Sequence, residues 1–199
     1  SYINYKNKTL HIEDIAIDVI ADAEATPFYC YSNQKILENF KKYEQALSSL
    51  NSLICYAVKA NSNLAVINLL AMQGSGADCV SEGEIRKALL AGVPADKIVF
   101  SGVGKTEQEL KFALTESIYQ FNIESEEELL KLNELALSLD VKAPIAIRVN
   151  PDVVTGTHKK IATGVKGNKF GIDIEYAREI YTKAKNLENI EVKGISTHI

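Results

Sequence analysis

From residue 54 onward the chain repeats one pattern. Short apolar runs rich in β-branched and aromatic residues begin near Ile54, Ala77, Ile98, Ile118, Ile145 and Val192, with helical patterns between them. Leu129, Leu132, Ala136 and Leu139 trace one helical face, and Ala177, Ile180, Ala184 and Leu187 another. Three helices are announced by capping boxes, Ser81-x-x-Glu84, Thr106-x-x-Glu109 and Ser125-x-x-Glu128. In each, the hydroxyl can take the free N–H of the third helical residue while the Glu reaches back.

The first four strand-to-strand steps are 23, 21, 20 and 27 residues, enough for a strand, a helix and two short loops. The fifth step, 47 residues, carries an insertion from Asn150 to Gly171 rich in Gly, Lys and Thr. Loops of that length in a compact unit are usually functional or disordered. Before the repeat, residues 1 to 31 read as a polar lead-in, a short helical stretch around Ile12 to Ala23, and a strand at Pro27 to Tyr31. A helix with Ile36, Phe40, Tyr43, Leu47 and Leu50 on one face follows.

Alternation with continuously apolar strands predicts a parallel sheet, either a closed (β/α) barrel or an open doubly wound sheet. Polar side chains decide between them. Lys59 ends the first strand, Asp78 lies within the second, and Ser101 and Gly102 end the third. Asn122 and Glu124 end the fourth, Arg148 and Asn150 the fifth, and His198 the sixth. Polar groups at every strand end describe the rim of an α/β (β/α)8 TIM-type barrel, whereas an open sheet gathers them at one switch point.

Composition narrows the function without choosing it. The chain has 199 residues, 46% hydrophobic and 24% charged, with a formal charge of -4, so a sizeable core is possible. Acids and bases are mixed, and no basic patch supports nucleic-acid binding. No apolar stretch approaches the roughly 20 residues of a membrane span. Ser1 to Glu13 lacks the layout of a signal peptide. Cys30, Cys55 and Cys79, an odd number with no CxxC, read as buried, reduced thiols of a cytoplasmic protein.

A lysine just past an apolar strand has two readings. It is a surface lysine at a loop start, or, with apolar walls disfavouring its ammonium, an amine ready to form a Schiff base with a carbonyl such as pyridoxal phosphate. Arg148, flanked by apolar residues, needs an anionic partner, in a ligand or in a structural ion pair. Gly102-Val-Gly104-Lys105-Thr106 fails as a phosphate-binding P-loop, because Val99 stands where the first glycine belongs. His11, His158 and His198 have no i, i+4 partner, so no metal site is expected.

The motifs occur in a telling order: Tyr56-Ala-Val-Lys59-Ala-Asn61, Gly76-Ala-Asp78-Cys-Val-Ser81, Ser101-Gly-Val-Gly104-Lys-Thr106 and Phe121-Asn-Ile-Glu124-Ser125. Arg148-Val-Asn-Pro-Asp152, Thr155-Gly-Thr-His158, Thr163-Gly164 and Lys169-Phe-Gly-Ile172 complete the set. From about Thr26 to the last residue, the chain resembles the diaminopimelate decarboxylase family of alanine-racemase-like pyridoxal-phosphate enzymes. The resemblance implies decarboxylation of meso-2,6-diaminopimelate to L-lysine and CO2, with Lys59 bonded to the cofactor. Asp78 would sit at the cofactor's edge, Arg148 near its phenolic oxygen, and His198 against its ring face. It also implies a cytoplasmic homodimer, and a mobile loop at Asp152 to Gly167 that closes over substrate.

By the same resemblance, 1–31 is an N-terminal segment whose strand joins a C-terminal β-domain, and 32–199 is a partial barrel of about six of eight strands. The phosphate cradle, the carboxylate at the ring nitrogen and the β-domain would fall beyond Ile199. A decarboxylase of another diamino acid, an amino-acid racemase on the same barrel, and a non-catalytic cofactor-binding protein are the alternatives.

Overall fold

The computed structural model describes residues 2–153 and 170–198, in two compact units, Ser1–Ile54 and Cys55–Ile199. The insertion motifs from Thr155 through Lys169 lie outside the described residues.

In the first unit the lead-in is not loop. β1 (Ile3–Lys6), β2 (Thr9–Ile12) and β3 (Ile15–Ala16) form an antiparallel sheet, with Ile3 opposite Ile12 and Lys6 opposite Thr9. The first turn is the two residues Asn7 and Lys8, both left-handed at φ 50° and 68°. That geometry matches the twist of the flanking strands. The helical stretch is α1 (Ile17–Ala23), followed by α2 (Asn33–Ala46). Ser32 caps α2 through Lys35 N–H, and its hydroxyl donates to Glu13 at 2.6 Å. Phe40 alone is buried along α2; Tyr43 is exposed, as is Leu50 beyond the helix end. The strand expected at Pro27–Tyr31 is absent. A strand exists only where its backbone groups find a ladder partner, and among the described residues these find none.

The second unit follows the repeat. It runs β4 (Cys55–Ala57), α3 (Leu64–Ala71), β5 (Gly76–Cys79), α4 (Glu82–Leu90), β6 (Ile98–Phe100) and α5 (Glu107–Thr115). It continues with β7 (Gln120–Ile123), α6 (Glu126–Ser138), β8 (Ala143–Asn150), β9 (Ile172–Asp173), α7 (Ile174–Lys185) and β10 (Ile190–Ser196). All pairings in this unit are parallel, in the order β4-β5-β6-β7-β8-β10, with two-residue β9 beside the end of β8. The order advances without the reversal of a doubly wound sheet. This is a partial (β/α) barrel. Among the described residues β4 and β10 each have one neighbour, so the sheet is open.

The core lies between the sheet and the helices. Ile98, Phe100, Phe121, Ile123, Ile145 and Ile147 are buried, as are Leu129, Leu132 and Ala136 of α6 and Ala177, Ile180 and Ala184 of α7. Each large aliphatic side chain removed from water contributes roughly 1.5–3 kcal/mol, so this layer holds the strand ends in place. Gly76 shows how tight it is: a Cβ there would stand 2.3 Å from the Lys97 carbonyl oxygen.

The caps vary on one theme. Thr106 and Glu109 form the full reciprocal box. Ser81 and Ser125 also cap the third helical N–H, but Glu84 and Glu128 accept from Val80 and Glu124, one residue earlier than expected. The helix start is thereby locked to the loop before it, and with it the strand end that carries function.

Candidate active site

The C-terminal strand ends surround a cavity of about 630 Å³. Lys59, Asp78, Ser101, Asn122, Arg148 and His198 line it, each from a different strand or the residues just past one. Val80, Val99, Val103 and Phe170 supply its apolar surface. All four residues singled out from sequence therefore share one site.

Their settings differ from the expectation in two respects. β4 stops at Ala57, and Lys59 sits in a single 3₁₀ turn, Val58–Ala60. Val58 is fully buried and anchors that turn, while Lys59 is exposed. It is not enclosed by apolar walls alone: the cavity it lines carries Asp78, Ser101 and Asn122 as well as Val80, Val99, Val103 and Phe170.

Arg148 is the second. Its Nη1 donates to Glu124 Oε1 at 2.8 Å, and the pair is nearly buried, at 12% and 2% exposure. The anionic partner demanded by an arginine among apolar neighbours is thus a residue of this chain. Glu124 Oε2 accepts from Gly171 N–H at 2.9 Å, and the guanidinium lies 5.4 Å from the centre of the Phe170 ring. Gly171 is left-handed at φ 78°, and a Cβ on it would crowd the Arg148 carbonyl at 3.1 Å. Arg148 still reaches the cavity, since a guanidinium has five N–H donors and Glu124 engages one nitrogen.

Sequence reasoning passed over a chain of hydrogen bonds on the cavity wall. Gln120 Nε2 donates to Asn122 Oδ1 at 2.8 Å, Asn122 Nδ2 to Ser101 Oγ at 2.9 Å, and Ser101 Oγ to Asp78 Oδ1 at 2.5 Å. The available signal was Gln120-Phe121-Asn122, where polar residues two apart on a strand face the same side.

Lys105, from the failed P-loop match, is structural. Its side chain is 1% exposed and Nζ donates to Gly102 O (2.6 Å), Asn122 O (2.8 Å) and Glu128 Oε1 (2.6 Å). Burial pushes the Glu128 carboxyl above its ordinary range, with Lys105 pulling it back. Burial likewise raises the Cys79 thiol, and the Cys55 thiol to about 11; of the three cysteines expected to be buried, Cys79 is, Cys55 is half-buried and Cys30 is exposed. Among the described residues no cluster of His, Cys, Asp and Glu is arranged to hold a metal ion, and no helix is long and apolar enough to cross a membrane.

An accessible lysine at the mouth of a barrel, with a carboxylate and an arginine in the same wall, defines a class. Residues 33–199 match the pyridoxal binding domain of the pyridoxal-dependent decarboxylases, and the chain belongs to that family. Within it, the chain is 49% identical over 197 residues to diaminopimelate decarboxylase of Pseudomonas fluorescens, covering 98% of this chain and 47% of the relative. It is 48% identical to that of Aquifex aeolicus, over 100% of this chain and 47% of the relative. The chain spans about half the length of the curated relatives it matches. The structure of diaminopimelate decarboxylase from Helicobacter pylori complexed with L-lysine superposes with a TM-score of 0.89 at 45% identity, over 92% of this chain and 46% of that one. The M. jannaschii diaminopimelate decarboxylase, also with L-lysine, gives 0.91 at 38%, over 99% and 47%.

Proposed function

We propose that this protein decarboxylates meso-2,6-diaminopimelate to L-lysine and CO2, with pyridoxal phosphate attached at Lys59. The observation that carries the reading is the convergence of Lys59, Asp78, Arg148 and His198 on one cavity. Identities near one half to diaminopimelate decarboxylases support the substrate, as does the L-lysine in two of the similar structures. The viral arginine decarboxylase structure is more distant, at 25% identity and a TM-score of 0.76.

The residues present suit this cofactor. An exposed amine, the one such group lining the cavity among the described residues, can bond an aldehyde, and the volume admits a substituted pyridine ring. When bound, pyridoxal phosphate supplies a conjugated ring that takes up the electron pair left as a carboxylate departs as CO2. Lys59 Nζ would hold the cofactor covalently and would be the amine at hand in the cavity to hold or move a proton. Asp78 fixes the charge beside that amine. Arg148, held by Glu124, directs its remaining N–H donors at an anionic oxygen. His198 presents an imidazole face on the β10 side. Holding the breaking bond in one orientation and keeping water out are the tasks left to the walls.

The working unit proposed is a cytoplasmic homodimer, on the family resemblance and on three cysteines that form no disulfide. Borohydride reduction of the loaded protein, peptide mapping, and assay on diaminopimelate, ornithine and arginine test the assignment. Label on Lys59 and turnover of diaminopimelate are expected; label on another lysine, or preference for ornithine or arginine, overturns it. An active monomer in sedimentation would remove the dimer.

A further inference from the structure

We propose that Ser101, Asn122 and Gln120 are positioning residues: they form a one-way hydrogen-bond relay that fixes how Asp78 faces the Lys59 site. The inference rests on the reading of Lys59 as the cofactor lysine and deepens it.

The relay crosses three adjacent strands. Asp78 is on β5, Ser101 directly follows β6, and Gln120 and Asn122 are on β7. The parallel register sets Asp78 beside Val99 and Val99 beside Gln120. Ser101 N–H donates to Cys79 O at 2.8 Å, which holds its side chain beside Asp78. Asn122 is buried, and the other three are partly covered.

Every donor points the same way. A serine hydroxyl has one proton; because Asn122 donates to Ser101 Oγ, that proton is left for Asp78. Asp78 Oδ1 is therefore the terminal acceptor. At 2.5 Å its contact with Ser101 is the shortest of the three. Bonds aligned head to tail polarise one another, so Gln120 and Asn122 strengthen the donor that Asp78 meets. With Oδ1 held by Ser101, the carboxylate of this cavity-lining residue cannot rotate freely. Three neutral residues thus set the direction of Asp78, the one carboxylate that lines the cavity with Lys59 among the described residues.

The test uses the full-length protein loaded with pyridoxal phosphate and follows the pH midpoint of the bound cofactor's visible absorption band, alongside cofactor affinity and thermal stability. Asp78→Asn should move the midpoint. Ser101→Ala should move it the same way by a smaller step, about half a unit, or roughly threefold in proton affinity. Ser101→Thr, which keeps the hydroxyl, should restore it. Because the relay acts in series, Asn122→Ala should shift the wild type but add nothing to Ser101→Ala, and Ser101→Ala should add nothing to Asp78→Asn. If Ser101→Ala does not fold, Asn122→Ala against Asp78→Asn makes the same comparison.

A side chain with only a packing role would lower thermal stability and leave the midpoint alone. A band that is present and unmoved by Ser101→Ala, or moved additively with Asp78→Asn, overturns the relay while sparing the Lys59 reading. A wild type with no band and no borohydride label at Lys59 overturns both.

Discussion

Each of the strands β4 and β6 is followed, past its C-terminal end, by a lysine, and the two have opposite fates. Lys59 follows buried Val58 on a single 3₁₀ turn and remains exposed in the cavity. Lys105 follows two left-handed glycines, Gly102 and Gly104, at φ 94° and 72°. Its ammonium is spent on two carbonyls and the Glu128 carboxylate. One lysine stays exposed on the cavity, and the other locks the β6 loop to the β7 end, where Asn122 starts the contact with Ser101. Residue type and place at a strand end do not separate the two lysines; the count of satisfied donors does.

The sharpest way to break this contrast is Lys59→Ala in the complete protein. Loss of borohydride-trapped cofactor is expected, with turnover down roughly 10²–10⁴-fold, the scale for a positioned catalytic group. Retention of label and turnover would make Lys59 the surface lysine it resembles in spacing alone.

Lys105→Met should leave cofactor trapping at Lys59 possible but destabilise the fold by about 3–5 kcal/mol, because Glu128 is left buried without its cation. Denaturant unfolding measures it, and Lys105→Met with Glu128→Leu should recover much of the loss. The pH dependence has a definite sign. Burial raises the Glu128 carboxyl and Lys105 opposes that. An acid raised in the folded state contributes stability at low pH and loses it as the pH climbs through its folded value. With the ammonium gone the raise is unopposed. The deficit should be largest near neutrality and shrink as the pH falls into the carboxylate range. A pH-independent deficit would mean that the pair is not the cause.

Glu124→Gln should cost about 1–3 kcal/mol, since it weakens the bonds to Arg148 Nη1 and Gly171 N–H in a nearly buried place. If Arg148 serves the cofactor as proposed, cofactor affinity should fall with stability. An unchanged affinity would return Arg148 to a purely structural role.

His198→Ala is the mildest. A stacked aromatic pair contributes on the order of 0.5–1.5 kcal/mol beyond area burial, so a loss of about tenfold or less in cofactor affinity is expected, with the melting temperature unchanged. Wild-type affinity would remove the stacking role.

Much of the repeat was legible because its signals are local. Strand positions followed from apolar runs, helix starts from Ser81, Thr106 and Ser125, and the site face from the polar residue closing each strand. The hairpin sheet before Ile17 was also local, through left-handed Asn7 and Lys8, but Ile3, Tyr5, Leu10 and Ile12 make a short pattern with little burial to mark it. Pro27–Tyr31 shows the converse. Its composition suits a strand, and a strand still needs a neighbour.

The sequence by itself determined the alternation of elements, the class of fold and the rim on which the polar strand ends would gather, because period, caps and strand ends are written within a few residues of one another; the family resemblance singled out four of those side chains. Only the tertiary structure decided that Arg148 binds Glu124, 24 residues away, that Lys105 is buried on Glu128, and that Gln120, Asn122 and Ser101 lead to Asp78. Those partnerships depend on the register between neighbouring parallel strands and on the turn each loop takes. A side chain's bonding is settled by what stands opposite it, and that is fixed only when the strands are laid side by side.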